Sequence, residues 1–292
     1  MHTAGPRTLI VLTRFPVSLA VTFSAFTAMV MSADSIQAAL LLPLAGIFLL
    51  ASGASALNQY QEWPYDEKMA RTKRRPLPSR KISPAEATRI AMICIAGGLL
   101  LLYYYATAEC LLLGVANLFW YNIVYTFLKR KTAFAVVPGA LTGAIPVYMG
   151  WLAGGGKFDA PQPLLLAFFL FIWQMPHFWM LTLKYGEEYR AAGFPTLSDH
   201  FSGRQIRTIV MVWMAAASAA SVMLIYFRIL HLPLLGFVLI GLNAVLLVIM
   251  AWQLLLASTP RFRLVFLTGN FFMMAVMLSL IANRLLSHGV YP

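Results

Sequence analysis

Nine apolar segments, each long enough to cross a membrane, constrain the fold of this chain more than any other feature of its sequence. Their predicted bounds are 15–33, 36–57, 86–106, 109–128, 133–153, 163–183, 207–227, 232–257 and 264–283. A helix needs about 20 residues to span the hydrocarbon core of a bilayer, and there it satisfies its own backbone hydrogen bonds. The sequence therefore predicts an all-α polytopic membrane protein, a bundle of nine transmembrane helices.

The amino-acid composition agrees with a membrane fold. Hydrophobic residues make up 60% of the chain and charged residues 11%, with a mean hydropathy of +0.75, whereas soluble domains carry about 25% charged residues. No linker separates the segments, so residues 1–292 are expected to form a single integral-membrane domain. The first segment follows Arg7 and Arg14 and could imitate a signal peptide. Its retention as a first helix is favoured because nine spans fit the charge pattern.

Basic residues are concentrated in alternate loops. Those loops are the N-terminal segment, 58–85, 129–131, 184–207 and 258–263, whereas the opposite loops 34–35, 107–108, 154–162 and 228–231 are nearly uncharged. Lys and Arg stay on the cytoplasmic side, which predicts a cytoplasmic N-terminus and an external C-terminus in the cytoplasmic (inner) membrane. The net charge of +12 follows from this topology. Nucleic acid is not an expected partner, because there is no soluble basic domain to bind it.

The segment NQYQEWPYDEKMARTKRRPL (58–77) combines acids, bases and an amide where the second apolar run stops. Asn58, Glu62 and Asp66 are spaced four apart, so on a helix each is rotated by only about 40° from the last and all share one face. Oxygen ligands of this kind suit Mg²⁺. Pro64 disturbs a regular helix, which leaves two geometries open for Asp66: a helical position, or a turn that folds back.

Basic side chains accompany these oxygen ligands and suit the phosphate oxygens of a diphosphate. The residues assigned to that role are Lys68, Arg71, Arg75, Lys129 and Arg130. A solvated basic loop that only reports topology would explain the bases. It would not explain the acids, which contribute little to the topology signal. Glu187 and Glu188, after the sixth segment, are further candidate metal ligands.

The sixth segment ends in WQMPHFW (173–179), an aromatic-rich stretch with a proline and one histidine. Polar groups within a membrane are costly and are often functional. His177 is therefore a candidate substrate contact. The alternative is a helix-end histidine that is hydrogen-bonded to a neighbour.

Taken together, these motifs resemble the protoheme IX farnesyltransferase (heme O synthase) family, within the intramembrane aromatic prenyltransferase superfamily that includes 4-hydroxybenzoate polyprenyltransferase. The family motif is N-x-Y-x-D-x-D-x-D-x-x-M-x-R-T-x-x-R-P-L. The residues that match it are Asn58, Tyr60, Asp66, Met69, Arg71, Thr72, Arg75, Pro76 and Leu77. YTFLKRKT (125–132), WQMPHF (173–178) and EYRAAGFPTL (188–197) resemble this branch specifically. The chain departs from the pattern where Glu62 replaces Asp, where Pro64 replaces an acid, and where Glu187-Glu188-Tyr189 replaces two Asp four residues apart.

The resemblance implies a helix bundle around a central cavity that is capped by cytoplasmic loops. It implies transfer of a farnesyl group from farnesyl diphosphate to a vinyl group of heme B, with hydration, to give heme O and diphosphate. Mg²⁺ is the expected cofactor, with candidate ligands Asn58, Glu62, Asp66, Glu187 and Glu188. Asn58, Glu62, Asp66 and Tyr125 are the catalytic candidates, Tyr125 by its motif position, and His177 is the candidate heme contact. Membrane lipid and a heme A synthase that uses the product are expected partners.

Two other functions stay open at this point. A prenyltransferase acting on a quinone precursor or another aromatic acceptor would share the diphosphate motif, although the WQMPHF and AGFP segments favour heme. A non-catalytic transporter would typically carry its polar residues near the bilayer midplane on broken helices. The acids of this chain instead gather at one membrane face.

Overall fold

The computed structural model describes residues 5–287, which are predominantly helical and contain no β-strand. Its α-helices are α1 (Pro6–Leu12), α2 (Phe15–Ser32), α3 (Leu41–Asp66), α4 (Pro84–Tyr105), α5 (Ala108–Phe119), α6 (Thr126–Leu128), α7 (Val136–Gly139), α8 (Leu141–Ala153), α9 (Pro161–Ala191), α10 (Gly203–Tyr226), α11 (Pro233–Ala251) and α12 (Phe262–Ser287). Two π-helical segments, Trp120–Tyr125 and Trp252–Leu256, continue α5 and α11.

Within residues 5–287, nine helical segments are long and apolar enough to cross a membrane. They are Phe15–Ser32, Ala38–Asp66, Pro84–Tyr105, Ala108–Leu128, Ala133–Ala153, Pro161–Ala191, Gly203–Tyr226, Pro233–Leu256 and Phe262–Ser287. The all-α fold with nine spans is thereby confirmed.

Two helices continue beyond the predicted ends of their spans, and for Asp66 the helical position is the one of the two open geometries that is present. The second span was expected to end at 57 and the sixth at 183, yet α3 continues to Asp66 and α9 to Ala191. Hydropathy falls after Leu57 because polar residues begin there, but one face of the following turns, with Asn58, Glu62 and Asp66, is buried against other protein groups, and the helix does not end. Pro64 lies inside α3 and removes one backbone hydrogen bond close to the helix end, where the loss is tolerated. Glu187 and Glu188 therefore lie on the end of a helix and not in a loop.

The described helices form two compact units, one made of residues 5–158 with 187–196 and the other of 159–186 with 197–287. In the first unit, α3 packs closely on α4: a Cβ added at Gly53 would lie 2.8 Å from the carbonyl oxygen of Ala91. In the second unit, Asn243 of α11 donates to the hydroxyl of Ser221 on α10 at 3.0 Å. The expectation of a single domain over 1–292 stays a prediction.

Helix α2 packs against α8 in the first unit and is an integral part of its core. A Cβ added at Gly150 would lie 1.9 Å from the carbonyl oxygen of Ala25, so the two backbones touch. Two turns further along α2, Ser32 Oγ donates to the carbonyl of Trp151 at 2.8 Å. Small residues permit such close approach between membrane helices.

Replacement of Gly150 by Ala should destabilise the protein, because the new methyl group must push α2 and α8 apart. The expected loss is about 1–3 kcal/mol, the usual cost of overpacking, measured by thermal unfolding of the detergent-solubilised protein. Gly241→Ala on α11 is the matched control, since an added Cβ there meets nothing within 4 Å. Equal effects of the two substitutions would contradict the proposed close contact.

Candidate functional site

The polar end of α3 places three predicted site residues together. Asn58, Glu62 and Asp66 lie on one helix face and are almost fully buried, with 0%, 5% and 1% of their surface exposed. Their four-residue spacing places them on that face. Buried carboxylates are costly unless they are paired or hydrogen-bonded. The partners of Glu62 and Asp66 therefore define the chemistry of the site.

Glu62 is held by an amide and by an ammonium group. Asn58 Nδ2 donates to Glu62 Oε1 at 2.6 Å and to Thr126 Oγ1 at 2.9 Å. Lys129 Nζ forms an ion pair with the same carboxylate oxygen. Burial lowers the pKa of Lys129 below its usual value, and the charge of Glu62 opposes that shift. In this arrangement the amide nitrogen of Asn58, and not its oxygen, faces the carboxylate.

Asp66 lies one turn further along α3 and is paired with Arg75. Arg75 Nη1 lies 2.9 Å from Oδ1 and 2.7 Å from Oδ2 of Asp66. Thr72 donates to the backbone carbonyl of Asp66 at 3.0 Å and so folds the following basic segment back towards the helix end. Burial and the charge of Arg14 lower the pKa of Arg75, whereas Asp66 opposes them. Each buried carboxylate thus has one basic partner.

Arg14 brings a third cation to the same place. It has φ 47° and ψ 48° at the start of α2, a left-handed conformation that residues with a Cβ rarely adopt. Its guanidinium donates to Asn58 Oδ1 at 3.0 Å and to the hydroxyl of Tyr121 at 3.4 Å. Its Nε is buried and has no hydrogen-bond partner among the described residues. The groups that accept from Arg14 are neutral and do not cancel its charge. The cluster therefore contains three positive charges, on Arg14, Lys129 and Arg75, and the two negative charges of its carboxylates. The excess positive charge favours binding of an anion.

Residues in the last turn of α9 contact the basic segment that follows α3. Arg71 donates its backbone N–H to Glu188 Oε2 at 3.0 Å and its Nη2 to the hydroxyl of Tyr189 at 3.0 Å. The structure therefore brings Glu188 to the predicted diphosphate bases. The side chain of Glu187 is exposed, and neighbouring positions on a helix point in different directions.

The remaining two predicted bases lie beside Tyr65. The guanidinium of Arg130 is 4.9 Å from the centre of the Tyr65 ring, and Arg130 Nη2 donates to the carbonyl of Gln61 at 2.7 Å. Lys68 Nζ is 5.9 Å from the same ring, and its side chain is exposed. The cationic groups of Arg130 and Lys68 thus lie close to the buried cluster but form no ion pair with its two carboxylates.

Two tyrosines line the cluster. The rings of Tyr121 and Tyr125 stack with centres 5.8 Å apart and an angle of 19° between their planes. Both belong to the π-helical segment Trp120–Tyr125, a type of local widening often found at functional sites. Tyr125 rests on Gly139, where an added Cβ would lie 2.5 Å from the ring. Lys129 Nζ is 5.5 Å from the centre of the Tyr125 ring, so an aromatic face adjoins the ion pairs.

The donor atoms of this cluster fit a magnesium ion that is bound together with a diphosphate. Within residues 5–287, no group of three or more His, Cys, Asp and Glu residues could hold a metal ion without other ligands. Mg²⁺ is usually bound by one or two carboxylates plus substrate phosphates and water. Glu62 and Asp66 supply two buried carboxylates, and the neighbouring bases supply donors for phosphate oxygens.

His177 lies in the second unit, on α9. Its ring centre is 4.9 Å from that of Trp173 and 4.7 Å from that of Phe266. Its Nδ1 is buried and has no hydrogen-bond partner among the described residues. That observation disfavours the alternative of a helix-end histidine satisfied by a neighbour through this nitrogen.

The sequence did not identify three contributors to the cluster. Arg14 was not predicted as a site residue, because its left-handed backbone conformation has no sequence signature. Thr126 and Tyr121 were not singled out, although both lie within four residues of Tyr125. Their closeness in sequence to Tyr125, on the same membrane helix, could have indicated that they belong to the site.

Known proteins resemble this chain over most of its length. The pattern of the UbiA prenyltransferase family matches residues 20–279. The chain is 42% identical over 192 residues to the protoheme IX farnesyltransferase of Geobacter sulfurreducens, which covers 66% of this chain and 70% of that protein. It is 33% identical over 279 residues to the protoheme IX farnesyltransferase of Oleidesulfovibrio alaskensis, which covers 95% and 96% respectively.

The fold is also found among solved structures. A UbiA homolog from Archaeoglobus fulgidus, bound to DMAPP and Mg²⁺, matches with a TM-score of 0.70 and 13% sequence identity, covering 94% of this chain and 99% of that one. At this identity the likeness concerns the fold. Because the family pattern extends over most of the chain and a relative at 33% identity covers nearly all of it, the chain belongs to the UbiA prenyltransferase family.

Proposed function

We propose that this protein transfers the farnesyl group of farnesyl diphosphate to a vinyl group of heme B, with hydration, and so makes heme O. The observation that carries the proposal is the buried group of two carboxylates and three cations around Glu62 and Asp66. Its chemistry suits a magnesium diphosphate. The two relatives described above, both protoheme IX farnesyltransferases, support the choice of donor and acceptor.

The ion pairs of the cluster exchange partners when substrate binds. Glu62 and Asp66 would hold Mg²⁺, and Lys129 and Arg75 would then be released from the carboxylates to donate to phosphate oxygens. Arg14 already faces the cluster with an unsatisfied Nε, and it adds a further charge-assisted donor. The exchange keeps every buried charge paired, which is the condition for burying charges at low cost.

Breaking the allylic C–O bond leaves a carbocation and a diphosphate, so the barrier falls when the charge on the leaving group is stabilised in place. Mg²⁺ supplies Lewis-acid stabilisation of that charge. Lys129, Arg75 and Arg71 donate hydrogen bonds to the same oxygens. The faces of Tyr121 and Tyr125 stabilise the allyl cation through their π electrons and exclude water from it. The vinyl group then attacks the farnesyl C1, and water adds at the vinyl carbon next to the ring with loss of a proton.

The identity of the farnesyl acceptor is the more specific part of the proposal. His177 supports a planar, metal-containing acceptor, because its ring lies against two aromatic rings and its buried Nδ1 has no protein partner among the described residues. A quinone precursor is the competing acceptor for this fold. It would have no need of an unpaired imidazole nitrogen. A heme A synthase that consumes the product is the expected partner protein.

The protein is a multi-pass integral membrane protein, and we propose that it lies in the inner membrane. The basic segments that follow α3, α6 and α9 support a cytoplasmic location for the ends of these helices. The chain termini at 1–4 and 288–292 lie outside the described residues, and their predicted sides, N-terminus cytoplasmic and C-terminus external, rest on this charge pattern.

A reporter fused after Gly155 should read external and one at Lys131 cytoplasmic. The reverse would overturn the topology.

Glu62→Gln should lower heme O formation by a factor of about 100 or more, because it removes one of two buried metal ligands. Removal of one group that stabilises transition-state charge typically costs this much. The assay is incubation of purified protein with heme B, Mg²⁺ and farnesyl diphosphate, followed by mass spectrometry of the hemes.

Glu67→Gln is the matched control, since Glu67 is exposed and, among residues 5–287, its carboxylate accepts a hydrogen bond from Trp63 Nε1 alone, at 2.6 Å. Its activity should stay within a few-fold of the parent. Thermal unfolding of both variants separates loss of function from loss of fold. Near-normal activity of a folded Glu62→Gln variant would contradict the assignment of Glu62.

His177→Ala should weaken the binding of heme B while it leaves the binding of farnesyl diphosphate unchanged. The physical reason is that the substitution removes a buried nitrogen that is free to contact the porphyrin. The measurement is the absorption spectrum and titration of heme B into the detergent-solubilised variant. Unchanged heme affinity and an unchanged spectrum would identify His177 as a packing residue and would remove the structural support for heme as acceptor.

A further inference from the structure

A pocket of about 410 Å³ lies in the second unit at the turn between α10 and α11. This volume falls within the range of about 300–1,000 Å³ typical of ligand pockets. The residues that line it are Ile225, Arg228, Leu230, His231, Leu232, Pro233, Gly236, Phe237 and Ile240. Two polar side chains, those of Arg228 and His231, therefore meet a largely apolar surface, and no acidic side chain is among the lining residues.

Arg228 occupies a backbone position that ordinarily belongs to glycine. Its φ is +56°, in the left-handed region that follows many helices and that most residues avoid. Ile229 and Leu230 both donate their N–H groups to the carbonyl of Leu224, which closes the end of α10 around this residue. A strained position that keeps a long cationic side chain points to a use for that side chain.

Asn283 fixes the orientation of the His231 ring. Its Oδ1 accepts the backbone N–H groups of His231 at 3.1 Å and Leu232 at 3.0 Å, and its Nδ2 donates to the carbonyl of Ile229 at 3.1 Å. The amide orientation is thus set by three backbone groups. Its Nδ2 also lies 3.1 Å from His231 Nδ1. Since an amide nitrogen only donates, Nδ1 must accept, and the ring hydrogen is on Nε2, available as a donor.

Helix α11 begins at this pocket and adds positive potential. Its N-cap residue, Leu232, has an apolar side chain that forms no cap hydrogen bond, and the N–H of Leu232 itself is bonded to Asn283. The N–H groups at the start of a helix carry partial positive charge and attract anions. The Arg228 guanidinium, the Nε2–H of His231 and the start of α11 therefore all offer hydrogen-bond donors or positive potential at the same pocket.

The surroundings of the pocket indicate a membrane-water interface. Tyr226 is 80% exposed, Phe227 53% and Phe237 74%. Aromatic side chains that are exposed at the end of a membrane helix are typical of the interfacial region. Ile240 and Phe237 continue the apolar lining along α11, in the direction that an acyl chain takes into the bilayer.

We propose that this pocket binds the headgroup phosphate of an anionic phospholipid, with Arg228 and the Nε2–H of His231 as donors and one acyl chain along α11. The class of ligand follows from the lining. A phosphate diester matches one guanidinium, and an apolar groove matches a hydrocarbon chain. The absence of an acidic lining side chain leaves no partner for the ammonium group of a zwitterionic lipid.

The experiment is native mass spectrometry and thermal unfolding of the full-length protein in detergent, titrated with phosphatidylglycerol. Phosphatidylglycerol should bind and raise the unfolding temperature, phosphatidylcholine should bind less well, and glycerol 3-phosphate should not bind. Arg228→Gln should weaken the affinity for phosphatidylglycerol by about tenfold, the loss expected for one charge-assisted hydrogen bond. Arg228→Gly should unfold at an equal or higher temperature than the parent without lipid, because it relieves the left-handed strain, and should lose the response to phosphatidylglycerol.

Arg80 provides the matched control, since it is also an exposed arginine with a left-handed backbone, at φ +55°. Arg80→Gly and Arg80→Gln should leave the affinity for phosphatidylglycerol unchanged. Equal loss with the Arg80 and Arg228 variants would mean non-specific charge attraction and would overturn the proposal. Equal binding of the two lipids, full retention of binding by Arg228→Gln, or tight binding of glycerol 3-phosphate would also overturn it.

Discussion

The ion pair between Glu62 and Lys129 is the interaction on which the rest of the site depends. Both groups are buried or nearly so, and a charge that is removed from water is tolerated only when it is paired and hydrogen-bonded. Asn58 donates a hydrogen bond to the same carboxylate, and Thr126 accepts a second hydrogen bond from that amide group. A pair of this kind is poised for exchange, because a metal ion can replace the ammonium group and a phosphate oxygen can replace the carboxylate.

The same constraint accounts for the architecture around the pair. Helix α3 continues nine residues past its predicted end at 57, to Asp66, because the polar face of its last turns is covered by Arg14, Lys129 and Arg75 and not by lipid. Arg14 has a left-handed backbone conformation at the position from which its side chain contacts this face. The π-helical segment places Tyr121 and Tyr125 along the other border of the cluster. Charge and aromatic surface thus meet at one end of a membrane helix, where the proposed allylic diphosphate would bind.

Much of this arrangement could be predicted from the sequence. Hydropathy gave all nine spans, because length and apolar composition are local properties. The spacing of Asn58, Glu62 and Asp66 gave their shared face, because helix periodicity is also local. The partners could not be predicted in the same way. The contacts of Glu62 with Lys129 and of Arg14 with Asn58 join residues far apart in the chain, and hydropathy misplaced the ends of α3 and α9 because it does not distinguish polar residues that face protein from those that face water.

The central claim is that Mg²⁺ and diphosphate replace Lys129 and Arg75 as partners of the buried carboxylates. Calorimetric titration of the detergent-solubilised protein with an unreactive thio analogue of farnesyl diphosphate, with and without Mg²⁺, tests it most directly. Binding free energies are reciprocal, so each ligand should bind at least tenfold more tightly when the other is present, and Glu62→Gln should abolish that coupling. Equal affinity for the analogue with and without Mg²⁺ in the parent protein would contradict the exchange of partners.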